Sequence, residues 1–579
     1  MRKFTADFET TTDENDCRVW AWAICEIGNI DNFKYGNSID DFMNFCAGKE
    51  NNVLYFHNLK FDSSFIIWWL LNNGFNYKKD KKDIKDKGFT CLINEMGAFY
   101  SLEIYFSKNK KSVNKVTIYD SLKILNFSVD KIAKDFDLPI RKLNIDYDAV
   151  RKEGHLLTDE EVDYIKNDVE IMARALDIMF KMDLKKKTIA SNALANYKKF
   201  NTNFMNYFPK LDLKIDENIR RSYKGGFTYL NPLYKEKEVN NGIVLDVNSL
   251  YPSVMMYESI PISEPIYFKG KYKEDRLYNL YIQVITCSFE IKKGMIPTIQ
   301  IKNNLSFIPN EYLESSHGDL VTLTLTSVDL ELFFKHYNVY DLTFEEGFKF
   351  KSVKGLFTNY INYWSSQKIQ AKKDGNGAKY LISKLMLNSL YGKFGTNPNI
   401  RTKMPYLDEN NVLRFKFNER EQGDTIYIPV ATFITSYARK KTIETSQMIR
   451  DYTLKNYKED YYIYSDTDSI HMKSLPKEEL KKFVEIDDYK LGAWKIESSF
   501  KRGKFIRQKC YIEQDNHDVI HSTIAGLPKN LASIINFNNF KIGFTTEDYK
   551  DKVDKIGHKL RYKYVKGGVV LVDTEFRIK

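Results

Sequence analysis

Cysteine is scarce and unclustered in this chain of 579 residues. The six, Cys17, Cys25, Cys46, Cys91, Cys287 and Cys510, lie far apart with no Cys-x-x-Cys spacing. That argues against both a disulfide scaffold and a thiolate zinc site, and it suits reduced thiols in a cytoplasm. No run of about 18 apolar residues occurs, so no membrane span is expected. Met1-Arg2-Lys3 leads straight into a polar strand pattern, without the apolar core of a secretory leader. Internal repeats and long low-complexity tracts are also missing. Charge of one sign is in only mild excess: 88 Lys and Arg against 77 Asp and Glu give +11. A basic surplus suits a polyanionic partner, but the abundance of Lys, Asn, Ile, Tyr and Phe equally reflects AT-rich coding, so the total excludes little. At about 100 to 200 residues per domain, the length implies three or four units.

What the chain does have is carboxylates at the ends of apolar runs. Tyr461-Tyr462-Ile463-Tyr464 has strand character and leads into Ser465-Asp466-Thr467-Asp468-Ser469. In an extended segment Asp466 and Asp468 point to one face. Such a pair costs repulsion unless cations neutralise it, and hard ions such as Mg²⁺ are held by one or two carboxylates plus substrate phosphates. Gly242-Ile243-Val244-Leu245 likewise ends in Asp246-Val247-Asn248-Ser249-Leu250-Tyr251-Pro252-Ser253. Two strands each delivering an aspartate to one end is what a metal-dependent phosphoryl or nucleotidyl transferase needs. In Lys384-Leu385-Met386-Leu387-Asn388-Ser389-Leu390-Tyr391-Gly392-Lys393-Phe394, helical spacing puts Lys384, Asn388 and Tyr391 on one face. A lysine there can pair with triphosphate oxygens and a ring can pack on a sugar or base. Singly, each element reads as a surface turn or a core helix; the three in this order do not.

These elements resemble motifs A, B and C of family B DNA polymerases, in wording nearest to the protein-primed polymerases of small tailed bacteriophages. The resemblance runs nearly end to end. It implies that Asp246, with Val247 beside it, and Asp468 hold two ions, Mg²⁺ or Mn²⁺, with Asp466 as a further acidic group. It also implies that Tyr251 stacks under the deoxyribose and excludes a 2′-hydroxyl. Lys368 and Lys384 would bind the nucleotide, Asn388 and Tyr391 would check the nascent pair, and Lys393 would contact DNA. One departure is that Tyr380, beside Lys379, stands where the family often has another lysine one turn before Lys384. Tyr223-Lys224-Gly225-Gly226 resembles the family's Tyr-x-Gly-Gly motif, a template contact between two catalytic modules. Lys509 and Tyr511 match its Lys-x-Tyr motif at the primer terminus, and as alternating strand residues they are expected to share a face.

A separate acidic set occupies the first third. Strand alternation puts Asp7 and Glu9 of Phe4-Thr5-Ala6-Asp7-Phe8-Glu9-Thr10 on one face. Asp62 follows the apolar run Val53-Leu54-Tyr55-Phe56, and Tyr164 and Asp168 stand at i and i+4 of a helix. The ordered set resembles the three Exo motifs of a proofreading 3′ to 5′ exonuclease. That implies Asp7, Glu9, Asp62 and Asp168 as metal ligands, Tyr164 orienting the attacking water, and Lys142 supporting the scissile phosphate. Thr10, His57, Asn58, Phe61, Ser121 and Leu122 match positions that grip a frayed single-stranded end. No cysteine or histidine near His57 could share a zinc ion with it, so it is read as a DNA contact.

The expected architecture is α/β and α+β multidomain: a ribonuclease H-like 3′-5′ exonuclease, then a right-hand polymerase with palm, fingers and thumb. The boundaries expected are 1–187 for the exonuclease, 188–257 and 427–526 for the palm, 356–395 for the fingers and 527–579 for the thumb. Two insertions, 258–355 and 396–426, resemble the terminal-protein regions of protein-primed polymerases. The first is inferred because far more chain separates Asp246 from Lys384 than a crossover and a helix require. The second contains Asp408-Glu409-Asn410-Asn411, the turn chemistry of a hairpin. The partners implied are primer-template DNA, deoxynucleoside triphosphates and a terminal protein that primes synthesis. The chain would be a monomer or a heterodimer with that protein, off the membrane, in the cytoplasm of an infected bacterium. A nucleic-acid-primed family B enzyme, and a nuclease or single-strand binder with an idle polymerase half, stand as alternatives.

Overall fold

The computed structural model describes residues 1–48, 50–108, 112–147, 149–300 and 312–579. The amino-terminal unit runs β1 (Lys3–Thr10), β2 (Val19–Glu26), β3 (Asn29–Gly36), α1 (Ile39–Cys46), β4 (Val53–Phe56), α2 (Leu59–Asn72), β5 (Asn76–Tyr77), β6 (Gly88–Ile93), β7 (Phe99–Lys108), β8 (Val113–Asp120), α3 (Val129–Asp135) and α4 (Asp159–Lys181). Its strands form one mixed sheet in the order β3-β2-β1-β4-β8-β7-β6-β5. Alternation along β1 decides what each face carries. Phe4, Ala6 and Phe8 enter a core with Phe42 and Phe56, while the opposite face packs on α4, where the Thr5 hydroxyl donates to the Val169 carbonyl at 2.6 Å. Helix α4 starts at a capping box: the Thr158 side chain accepts the Glu161 N–H and the Glu161 carboxylate accepts the Thr158 N–H, satisfying donors that the first turn leaves unpaired.

Helices α5 (Ile189–Phe200), α6 (Phe204–Tyr207) and α7 (Leu213–Arg220) lead to β9 (Thr228–Leu230), β10 (Glu238–Val247) and α8 (Leu250–Tyr257). The chain then leaves for a four-stranded antiparallel sheet. It contains β11 (Ile260–Lys269), β12 (Leu280–Ile291), then, after the short pair β13 (Ile299–Gln300) and β14 (Tyr312–Leu313), β15 (Val321–Thr326), α9 (Ser327–His336) and β16 (Tyr337–Val353). Helices α10 (Thr358–Lys373) and α11 (Gly377–Phe394) form an antiparallel hairpin. It turns at Gly375, whose φ of +65° suits glycine. Two ribbons follow, β17 (Asn399–Ile400) with β20 (Glu421–Gln422) and β18 (Lys403–Leu407) with β19 (Leu413–Phe417).

The long helix α12 (Ile428–Tyr457) then supports β21 (Tyr462–Asp466), β22 (Ser469–Lys473), β23 (Trp494–Arg507), β24 (Cys510–Gln514) and β25 (Ile520–Ile524). With β9 and β10 these make a seven-stranded sheet, β25-β24-β23-β10-β22-β21-β9. The sheet curls on itself: Lys235 bridges to Phe505, and the enclosed interior holds Leu230, Val244, Ile463, Tyr464, Phe500 and Phe505. A last ribbon, β26 (Lys559–Val565) and β27 (Gly568–Thr574), folds back. Leu413 of β19 and Val569 and Val570 of β27 are buried in the same core as β1, each contributing about 1.5 to 3 kcal/mol by leaving water. Two segments remote in sequence are thereby docked on the amino-terminal unit. Among the described residues no helix is long and apolar enough to cross a membrane.

Candidate active site

The curled sheet brings Asp246 and Asp468 together at one end. In register, Asp246 of β10 pairs with Ser469 of β22 on one side and Lys495 of β23 on the other, and the Val247 N–H donates to the Asp468 carbonyl at 2.8 Å. The pair Asp466 and Asp468 is not a strand alternation. Asp466 ends β21 and Asp468 lies in the turn to β22, past Thr467 with φ +62°. The turn separates their duties: Asp466 accepts from the Lys509 amine at 2.9 and 3.0 Å, while Asp468 is left to Asp246. Burial, then the charges of Glu497 and Asp468, push the Asp246 carboxyl up to about 6, against the Lys495 amine 3.2 Å away. Asp468 is raised too, by burial first. Lys495 and Glu497 escape a reading based on acidic motifs, though their i, i+2 spacing on β23 was a legible signal.

Around this cluster stand the expected nucleotide residues. On α11, Lys384 and Asn388 are exposed, while Tyr391 lies half-buried with its ring stacked on Tyr251 at 4.0 Å. Lys368 of α10 faces Lys384 and Lys495, and burial with these two cations pushes its amine down. Burial lowers Lys393 likewise. The Tyr223 to Gly226 loop packs on the turn: the Phe227 carbonyl accepts the Thr467 N–H at 2.7 Å, and a Cβ on Gly226 would lie 2.7 Å from Thr467 Oγ1. Arg439 of α12, 2% exposed, holds the loop from behind by donating to the Lys224 and Gly225 carbonyls at 3.0 and 2.8 Å. The same guanidinium bonds both oxygens of Asp329 on α9, a link with no sequence signal. Lys509 and Tyr511 do not share a strand face. Lys509 occupies the turn before β24 with φ +52°, and only Tyr511 is in the strand.

The second cluster is built on β1, α2 and α4. Asp7, Glu9 and Asp168 present carboxylate oxygens within 4.8 Å of one another. Asp62 on α2 lies outside that group, but the charges of Asp7 and Glu9 reach it and raise its carboxyl. Burial leads the causes for all four carboxyls: Asp7 is pushed up to about 7, Glu9 and Asp62 well above their usual range, and Asp168 less. Asp62 is positioned through Asp120, whose Oδ1 accepts the Asn58 and Leu59 N–H groups at 3.0 and 3.3 Å and caps α2. Lys142 Nζ bonds Asp168 Oδ2 at 2.5 Å, and the Tyr164 hydroxyl is 2.7 Å from that of Tyr147. Asp62 Oδ1 and Asp168 Oδ1 are buried with no hydrogen-bond partner. Buried anionic acceptors left bare in an all-oxygen donor set fit a hard divalent cation.

Thr10 ends β1, and Asn58, Phe61, Ser121 and Leu122 lie beside this cluster around the start of α2 and the end of β8. His57 joins them differently from expectation. Burial lowers its pKa; its Nε2 lies 2.6 Å from the Phe127 carbonyl and its Nδ1 3.0 Å from the Ser121 hydroxyl, which itself donates to the Phe56 carbonyl at 3.0 Å. Both ring nitrogens are engaged inside the protein, so it braces Ser121 and offers neither to DNA. From β26, the Tyr562 hydroxyl accepts from Asn58 Nδ2 at 3.1 Å, which closes one side of the cleft.

The chain is similar to known proteins along its whole length. The family described as DNA polymerase type B, organellar and viral, matches residues 43–159 and 152–485. The DNA polymerase of Bacillus phage B103 is 44% identical over 597 residues, covering 100% of both chains. That of Bacillus phage phi29 is 43% identical over 598 residues, covering 100% of this chain and 99% of the relative. The solved structure of phi29 DNA polymerase complexed with primer-template DNA and incoming nucleotide substrates superposes with a TM-score of 0.90 at 42% identity, covering 100% of each chain.

Proposed function

The chain belongs to the type B DNA polymerases of organelles and viruses, and from that premise we propose that it replicates a linear phage genome from a protein primer. The place would be the cytoplasm of an infected bacterium, and the primer a hydroxyl of a separate terminal protein. Residues 1–187 edit and the remainder polymerises, with 258–355 and 396–426 as the regions that meet the terminal protein and DNA. The observation that carries the reading is the pair of carboxylate clusters on two different sheets, in a chain similar along its whole length to phage DNA polymerases.

Divalent cations, Mg²⁺ or Mn²⁺, supply neutralising charge and a more acidic attacking oxygen when bound, two to a site. Asp246, Asp468 and Glu497 would hold them at the polymerising site, and Asp7, Glu9, Asp62 and Asp168 at the editing site. The protein's own work is positioning and charge. Lys368, Lys384 and Lys495 receive the triphosphate. Tyr251, held on Tyr391, makes a floor for the deoxyribose that leaves no room for a 2′-hydroxyl, and Asn388 and Tyr391 check the nascent pair. Lys509 and Tyr511 hold the primer end. At the editing site Lys142 supports the scissile phosphate, and the Tyr164 hydroxyl, steadied by Tyr147, orients water. Thr10, Asn58, Phe61, Ser121 and Leu122 hold the frayed strand.

Incubation with the phage terminal protein, Mg²⁺ and a labelled deoxynucleotide is expected to label that protein. Asp468→Ala is expected to abolish the label while degradation of single-stranded DNA stays within about twofold, because the sites are separate. Extension of an annealed oligonucleotide with no labelled protein would favour the nucleic-acid-primed alternative.

A further inference from the structure

Inside the curled sheet lies a buried polar pair that none of these roles uses. His471 stands on β22, past Asp468, and Glu513 on β24, past Tyr511, and these strands are not neighbours in the sheet. The curl brings them together, and His471 Nδ1 donates to Glu513 Oε1 at 2.7 Å. Their side chains are 3% and 12% exposed. Around the imidazole pack Tyr511, Tyr464 and Phe505, with ring centroids 4.9, 5.3 and 5.6 Å away. Tyr464 connects this interior to the reacting side. Its hydroxyl accepts the Lys509 N–H at 3.0 Å and donates to Asp466 Oδ2 at 3.3 Å. Lys509, at φ +52°, holds a conformation that lysine rarely adopts, so its turn needs support from outside.

We infer that His471 and Glu513 are positioning residues whose hydrogen bond ties β24 to β22, fixing Lys509 and Tyr511 against Asp466 and so setting the grip on the primer's 3′ end. The inference rests on the polymerase reading of that cluster. A buried bond of this kind holds geometry because the alternative is an unpaired donor with no water to receive it. Without the Glu513 acceptor, His471 must turn away, and the rings that seat Tyr464 and Tyr511 lose their support. Loss of a pair that only stabilised the fold would lower the melting temperature and leave the hold on the primer unchanged in folded protein.

The test compares Glu513→Ala and Glu513→Gln with the unsubstituted chain, at a temperature where circular dichroism shows each folded. Three quantities are read: the dissociation constant for primer-template DNA, the rate of single-strand degradation, and the deoxynucleotide concentration at which synthesis overtakes degradation. Glu513→Ala is expected to weaken primer-template binding about tenfold and to raise the balance concentration in parallel, with single-strand degradation unchanged. Glu513→Gln, whose amide oxygen still accepts from Nδ1, is expected to recover most of the loss. Glu513→Leu, close in volume, replaces the alanine variant if that one does not fold. A folded Glu513→Ala with unaltered affinity and balance overturns the inference, as does a Glu513→Gln as impaired as Glu513→Ala. Failure of the unsubstituted chain to incorporate nucleotides overturns the polymerase reading instead.

Discussion

Asp7 carries the clearest conflict between fold and chemistry. Its carboxyl, pushed up to about 7 by burial and then by Asp168, titrates near 3.9 in an unfolded chain. The stability tied to its protonated form is therefore whole below about pH 4 and lost as pH rises toward 7. In chelator, Asp7→Asn is expected to raise the melting temperature at pH 8, a gain in stability of about 1 to 3 kcal/mol, and much less at pH 5. Mg²⁺ is expected to stabilise the unsubstituted chain more at pH 8 than at pH 5, and the variant little at either. Calorimetry at both pH values checks this; a larger Mg²⁺ effect at pH 5 would count against Asp7 as a ligand. Asp7, Glu9 and Asp168 were legible in the sequence because alternation and helical spacing are local. Asp120, which caps the helix bearing Asp62, was not, because its partners are about sixty residues away.

Among the elements, α12 does more than close the sheet. Arg439 ties α9 of the inserted sheet and the Tyr223 to Gly226 loop to one buried guanidinium. Removing it leaves the Asp329 carboxylate with only the Thr326 and Ser436 hydroxyls and no countercharge from this helix, and takes a donor from two carbonyls, so Arg439→Ala is expected to cost about 3 to 5 kcal/mol. Urea unfolding, with limited proteolysis of the inserted sheet, measures that; a loss under 1 kcal/mol would mean that the ion pair is dispensable. The break between α10 and α11 was readable from Asp374-Gly375-Asn376, whose chemistry is that of a turn. The turn at Asp468 was not, since Tyr461 to Ser469 reads as continuous strand and only the pairing of β21 with β22 bends it.

At the scale of the molecule, the ribbon of β18 and β19 and the final ribbon both dock on the amino-terminal unit, with Phe415 lying 5.7 Å from Phe99 and 5.5 Å from Tyr564. This chain of contacts joins three regions that are distant in sequence, and under the proposed function that join would help close the protein around DNA. Deleting residues 400–422 is expected to shorten the product made in one binding event several-fold and to impair displacement of a blocking strand. Product lengths under a DNA trap decide; lengths equal to those of the intact chain would reject encirclement.

The sequence by itself determined which carboxylates, lysines and aromatic rings this protein carries, and which of them share a strand face or a helix face. Those relations depend on periods of two and 3.6 residues, and the backbone enforces them without help. Tertiary structure alone decided that Asp466 pairs with Lys509 while Asp468 stays with Asp246, that Glu497 and Lys495 join them, and that His471 meets Glu513 across a curled sheet. Such encounters depend on strand order and curvature, which emerge from packing the whole chain; local spacing shows that two residues share a face but not what that face meets.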